Sequence, residues 1–190
     1  MFELGAIISA FTALFIVMDP FSSVPVFIAL TRKYSKESRV EAATVAALVA
    51  VGVFLGFLLL GPLALSFLGI RFESFEIAGG LLMLIISLTF ALGIEFKKRE
   101  ETPIEAVIIG VPLLSGPGTM LTSMLLASSY GLPNVIAAGI LACAASYLIL
   151  LASSHIYRIV GKNGLEIMSR VMGVLLAAFA IEYIRKCLGL

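Results

Sequence analysis

The chain has 190 residues, of which 61% are apolar and 13% charged, with thirteen basic and twelve acidic side chains and a mean hydropathy of +1.12. A soluble domain averages about 45–50% apolar and about 25% charged residues, so this chain cannot cover its apolar surface in water and its solvent must be lipid. The net charge of +1 gives no electrostatic case for a nucleic-acid partner.

A spanning helix needs about 20 apolar residues. Six such segments are predicted: Leu4–Leu30, Ala42–Gly69, Ile77–Ile94, Ala106–Ser128, Val135–Tyr157 and Ile167–Ile184. No basic n-region or cleavage site marks the N-terminus as a removable leader, so residues 4–31 are read as a retained first span. In the second segment Gly61-Pro62 predicts a kink or an early stop.

The connections carry the charge. Thr31–Glu41 holds Arg32, Lys33, Lys36 and Arg39; Glu95–Glu105 holds Lys97, Lys98 and Arg99; Arg158–Arg170 holds Arg158, Lys162 and Arg170. Only Arg71, Arg185 and Lys186 lie on the other side. The positive-inside rule therefore places loops 31–41, 95–105 and 158–170 in the cytoplasm of a multi-pass cell-membrane protein, with both termini outside.

Two of the six segments are interrupted. The first reads Met18-Asp19-Pro20-Phe21-Ser22-Ser23-Val24-Pro25 at mid-length, and the fourth reads Ser115-Gly116-Pro117-Gly118-Thr119. Shifting the chain by 97 residues aligns Pro20 with Pro117, Ser22 with Thr119 and Thr31 with Ser128. A shift of 94 sets Ile77-Ala78-Gly79 beside Val171-Met172-Gly173. The order of broken, intact and intact span thus occurs twice. Three spans per half is an odd number, so the second half enters the membrane from the opposite side. The predicted fold is an all-α polytopic membrane protein in one domain, 1–190. Its six transmembrane helices form two inverted three-helix repeats, 1–95 and 101–190, with helices 1 and 4 broken near the bilayer midplane.

Proline removes a backbone donor and pushes the preceding residue out of the helical region. Asp19-Pro20 reads as a helix stop and restart, with Asp19 at the N-cap and Pro20 at the first helical position. Ser23 is a candidate cap for a later restart, and Ser115 or Thr119 for the second break. Each restart exposes about four unpaired N–H groups and the positive end of a helix dipole, which suits a carboxylate. The carbonyls freed by each stop suit a cation or an ammonium group, so a zwitterion such as an amino acid matches both.

The candidate substrate-binding residues are Asp19, Pro20, Ser22, Ser23, Pro25, Ser115, Gly116, Pro117, Gly118 and Thr119, with Thr122 and Ser123 one turn on. Asp19 is the candidate for ion coupling, because its ionised form is expensive in an apolar site. It is suited to carry a proton, to pair with a substrate ammonium or to ligate Na⁺, and the sequence does not choose. The plain reading of the same residues is an N-cap and two architectural kinks.

Other signals are weaker. Gly52 and Gly56, and Ala138, Ala142 and Ser146, have the small-xxx-small spacing of helix contacts. Gly79 and Gly80 read likewise, and their partner Gly173 predicts that both third spans approach the broken helices. Glu182 is expected to pair with Lys186 at the surface. His155 sits near a span end, and neither Cys143 nor Cys187 has metal-ligand spacing, so both are read as small packing residues. There is no His-Glu-x-x-His, Gly-x-Ser-x-Gly or Walker loop, so an enzyme is not expected, no cofactor is called for, and active transport would draw on an ion gradient.

The pattern Asp19-Pro20-x-x-x-x-Pro25-x-Phe27-x-x-Leu30-Thr31, with Ser115-Gly116-Pro117-Gly118 and Arg170-Val171-Met172-Gly173, resembles the MarC-type membrane proteins, also called the neutral amino acid transporter family. The resemblance covers essentially the whole chain. It departs at Ser22, where members often carry glycine. It implies a secondary transporter of small neutral amino acids, the glycine and alanine class, coupled to H⁺ or alternatively Na⁺. The family is similar in plan to LysE-type amino acid exporters, which leaves the direction open. An uncoupled channel or pore for a small neutral solute, and a non-transporting scaffold, are the competing readings. The partners implied are the lipid bilayer and the small amino acid, and a homo-oligomer is compatible with the sequence.

Overall fold

The structure is a computed structural model that describes residues 3–93 and 116–189. Among these residues all regular structure is helical: α1 (Leu4–Met18), α2 (Pro20–Leu30), α3 (Lys36–Phe67), α4 (Phe72–Leu92), α5 (Pro117–Tyr130), α6 (Leu132–Leu151) and α7 (Ser153–Cys187). Four of them, α3, α4, α6 and α7, are each long and apolar enough to cross a membrane, and the pair α1–α2, bent by 41° at Asp19, makes a fifth candidate. Helix α5 is the restart of the predicted fourth span. Ser115, the loop 95–105 and the first half of that span lie outside the described residues.

The interior is built from small side chains. Ala10, Ala42, Ala43, Ala46, Ala50, Ala138, Ala142 and Ala180 are buried, while Leu4, Ile8, Leu60, Leu63, Phe67 and Ile85 stand outward. This inverts the arrangement of a water-soluble protein. Lipid offers no hydrophobic drive for helix association, so close backbone approach through small residues supplies the packing.

Each contact has a recognisable device. Helices α4 and α7 run antiparallel, and a Cβ added at Gly80 would meet the Ala180 carbonyl at 3.2 Å while one at Gly173 would meet the Ala91 nitrogen at 2.7 Å. Helices α3 and α6 are antiparallel too, with the Phe54 ring over Gly139 at one end and the Thr44 and Tyr147 hydroxyls 3.1 Å apart at the other. Helix α5 fits into this frame through Met124 at Gly61 of α3 and Leu121 at Gly79 of α4. The Glu3 amide donates to Asn134 Oδ1 at 3.1 Å, tying the start of α1 to the start of α6. Arg39 ties the end of α2 to the start of α7, donating to the Thr31 carbonyl at 3.1 Å and to Ser154 Oγ at 2.5 Å.

Several expectations change. Helix α3 begins at Lys36, six residues before the predicted Ala42, because Ser35 caps it by accepting the Ser38 amide at 3.1 Å. It passes through Gly61-Pro62 without stopping, and Gly61 serves the close approach of Met124. The predicted loop 158–170 is helical on both sides of Gly161, whose φ of 71° and ψ of 176° suit only glycine. Helix α6 therefore ends at Leu151, short of the predicted Tyr157. Among the described residues Gly52 and Gly56 meet nothing within 4 Å, whereas Ala138, Ala142 and Ser146 are buried as expected. Gly79 does abut the broken segment at Leu121, but Gly173 abuts α4 instead. Glu182 pairs with Arg185 at 3.0 Å rather than with Lys186. His155 is exposed, Cys143 is buried, and both cysteines are free.

Candidate functional site

The break in the first span is made by Asp19. Its φ of 39° and ψ of 64° are left-handed, and among the described residues it alone has positive φ without being glycine. Asp tolerates that region better than most side chains. Its amide still closes α1, donating to Phe15 and Ile16 carbonyls at 3.2 Å each. Its side chain opens α2, with Oδ1 accepting the Ser22 amide at 3.3 Å and Pro20 at the first helical position. One residue therefore ends one helix and caps the next, as expected from Asp19-Pro20.

The carboxylate is buried and, among the described residues, has no cationic partner. Its second oxygen accepts the Ser22 hydroxyl. Because that proton is committed to Asp19, the 2.6 Å contact between Ser22 Oγ and Ser169 Oγ must have Ser169 as the donor. The chain Ser169–Ser22–Asp19 thus links α7 to the break. Ser169 was not singled out in the sequence, where one serine beside Arg170 resembles an ordinary span end.

The other predicted residues of the first break divide. Pro20 and Ser23 are buried, and Ser23 Oγ lies 3.5 Å from the Asp19 carbonyl. Pro25 is half-buried within α2, where its missing N–H leaves the Phe21 carbonyl without a helical donor.

The second break presents a different terminus. Gly116 takes the N-cap position of α5, with extended backbone and no side-chain cap of its own, and Ser115 lies outside the described residues. The Gly116 carbonyl accepts the Thr119 amide at 3.0 Å and the Met120 amide at 3.3 Å. Pro117 takes the first helical position. The two breaks adjoin: a Cβ added at Gly118 would lie 3.0 Å from Val17 Cγ1 and 3.0 Å from Met83 Cγ. Glycine at 118 is what lets α5 start against the last turn of α1.

Thr119 is buried in the first turn. Ser123 is fully buried, but its hydroxyl donates to the Met120 carbonyl at 2.7 Å, a bond within its own helix. Thr122 is fully buried and faces Tyr183 of α7 closely enough to interact, though by distance and angle neither hydroxyl completes a hydrogen bond. The arrangement offers a carboxylate at one helix end and, at the adjoining one, a helix start without a side-chain cap at Gly116, inside an apolar bundle. Among the described residues no group of three metal-ligating side chains is present.

The sequence profile of MarC family integral membrane proteins matches residues 4–189. A UPF0056 membrane protein of Methanocaldococcus jannaschii is 36% identical, with 96% of this chain and 95% of the relative covered. A UPF0056 membrane protein of Aquifex aeolicus is 31% identical, with 96% and 92% covered. The UPF0056 inner membrane protein YhgN of Escherichia coli is 30% identical, with 94% of each chain covered. No solved structure matches the chain significantly. A profile that spans nearly every residue, and relatives matched from end to end, agree with the apolar helices and the break at Asp19 described above: this chain belongs to the MarC family of integral membrane proteins.

Proposed function

We propose that the protein is a secondary transporter of small neutral amino acids, the glycine and alanine class, coupled to a proton, with the substrate held where the two helix restarts adjoin. The observation that carries this reading is Asp19, a buried carboxylate without a cationic partner at a left-handed break in an apolar span. Polar backbone and a charge at membrane depth are retained where they line a path or a site.

The two restarts differ, and their difference orients a zwitterion. The α2 terminus already carries the Asp19 carboxylate, so it attracts the substrate ammonium. The α5 terminus has no side-chain cap at Gly116 and no acidic residue in its first turn, so the positive end of its dipole attracts the substrate carboxylate. Small side chains fit best, because Val17 and Met83 crowd Gly118.

In this reading the chain has six spans in two inverted repeats. Helix contacts occurring in mated pairs support that plan: α2 on α6 is mated by α5 on α3, and α2 on α7 by α5 on α4. The clustering of Thr31, Arg39 and Ser154 at one end, and of Glu3 with Asn134 at another, suits loops that alternate sides. The basic loops face the cytoplasm and both termini face outward.

Purified protein in liposomes is expected to accumulate labelled glycine or alanine under an imposed proton gradient, and to exchange labelled for unlabelled substrate. Uptake without exchange identifies a pore. Absence of uptake for every small amino acid, with either ion and in both orientations, removes the transporter reading. Ser169→Ala removes one hydrogen bond, worth about 1 kcal/mol net, and is expected to lower uptake several-fold with little change in melting temperature. Unchanged uptake in that variant would show that Asp19 is positioned without α7.

A further inference from the structure

A second polar cluster lies away from Asp19, between α4, α5 and α7. Glu76 on the second turn of α4 is 8% exposed, Thr122 on α5 is 0% exposed and Tyr183 near the end of α7 is 8% exposed. Backbone packing holds the three helices together at this level. Leu121 abuts Gly79, and Ala180 and Ile184 abut Gly80, one turn along α4 from Glu76. That register turns Glu76, Thr122 and Tyr183 toward a common space, and Tyr183 faces both Thr122 and Glu76.

By distance and angle the buried Thr122 and Tyr183 hydroxyls complete no hydrogen bond, although they face each other closely enough to interact, and among the described residues the Glu76 carboxylate has no ion pair. Lys186 and Glu73 are the charged groups that face Glu76. Lys186 does not come within ion-pair distance, and Glu73 is engaged by Arg71 at 3.3 Å. Tyr130 also faces Tyr183, and the Cys187 thiol donates to the Glu73 carbonyl. Tyr183 belongs to an apolar cluster with Leu121, Leu176 and Ala180, against which Leu125, Phe75 and Phe179 pack. Buried oxygens in apolar surroundings are expensive unless something fills their valence.

We propose that Glu76, Thr122 and Tyr183 bind a small monovalent cation of the Na⁺ class between α4, α5 and α7. The donors are all oxygen, which suits a hard ion rather than a soft metal. One carboxylate balances one charge, whereas divalent sites in proteins recruit several carboxylates or carbonyls. The tight packing at Gly79 and Gly80 favours a bare ion over an alkylammonium group. The site is separate from the Asp19 break and does not rest on the transport reading.

The test is the melting temperature of the purified full chain in detergent, titrated with NaCl, KCl or choline chloride at constant ionic strength. NaCl is expected to raise the melting temperature in a saturable manner and choline chloride to leave it unchanged. Glu76→Gln is expected to abolish the Na⁺ response, and Thr122→Val to weaken the apparent affinity about tenfold. Asp19→Asn is expected to retain the response. A melting temperature indifferent to Na⁺ in the native chain overturns the proposal, as does a full response in both Glu76→Gln and Thr122→Val. Loss of the response in Asp19→Asn also overturns it, because the ion would then belong to the break. If Glu76→Gln does not fold, Thr122→Val and Tyr183→Phe decide, since each removes one hydroxyl and no charge. None of these outcomes bears on amino acid uptake, so the two readings fail separately.

Discussion

Asp19→Asn is expected to abolish proton-driven accumulation of glycine or alanine, by at least tenfold, while the protein folds with a melting temperature within a few degrees of the native one. The substitution isolates the charge. Asparagine is as good an N-cap as aspartate and tolerates left-handed φ comparably, so the Ser22 amide keeps its acceptor and the α1–α2 bend its geometry. Asp19→Ala is the contrasting variant. It loses the cap, worth about 1 kcal/mol, and places a poorly suited residue at φ 39°. Exchange of labelled for unlabelled substrate separates the two roles open to the carboxylate. If Asp19 carries the coupling proton, Asp19→Asn keeps exchange and loses only accumulation. If it pairs with the substrate ammonium, both are lost. Full accumulation in the Asp19→Asn variant would reduce Asp19 to a cap.

The largest effect on stability is expected at Gly139. A Cβ added there would lie 2.0 Å from Phe54 Cζ and 2.3 Å from Phe54 Cε1. Phe54 is 1% exposed and boxed by its neighbours, so its ring cannot swing clear without disturbing the α3–α6 contact. Gly139→Ala is expected to destabilise the protein by about 1–3 kcal/mol through overpacking, and Gly139→Leu to prevent assembly of the bundle. Phe54→Leu shortens the opposing side chain. Combined with Gly139→Ala it is expected to recover part of the loss, with a coupling of about 0.5–3 kcal/mol in thermal or denaturant unfolding. Strictly additive effects would mean that the ring and the glycine do not share the contact. Gly52→Ala is the internal control, because no described residue lies within 4 Å of that position and its melting temperature should not fall.

The membrane class and the break at Asp19 were legible because they rest on local properties. Apolar runs report their solvent wherever they pack, and an Asp-Pro pair reports a stop and restart through steric rules that act over one or two residues. The predicted first span, Leu4–Leu30, coincides with α1 and α2 taken together. At the second break Gly116 takes the N-cap position with φ −70°, where the sequence offered Ser115 or Thr119 as caps and left-handed freedom for Gly116.

Residues defined by another helix were not legible. Ser169 and Ser22 are 147 positions apart, and nothing near Ser169 marks it as a partner of the Asp19 break. Glu76 stands one residue before the predicted start of the third span at Ile77. A carboxylate there reads as the solvated edge of a loop, and only the placement of Thr122 and Tyr183 around it shows that it is enclosed. The glycines make the same point in reverse. Among the described residues Gly52 and Gly56 have contact spacing and no contact, whereas Gly139, which matches no motif considered, carries the closest approach.

The sequence by itself determined the lipid solvent, the helical class, the charged connections and the residue that interrupts the first span. These follow from transfer free energies, hydrogen-bond requirements and backbone sterics, all of which act on neighbours along the chain. Only the tertiary structure decided which hydroxyl reaches Ser22, that Val17 and Met83 close on Gly118, that Phe54 lies on Gly139, and that Glu76 is buried. In lipid, helices associate through side-chain fit rather than through hydrophobic burial, so partners are chosen by shape across the bundle and leave little trace in the periodicity of either helix.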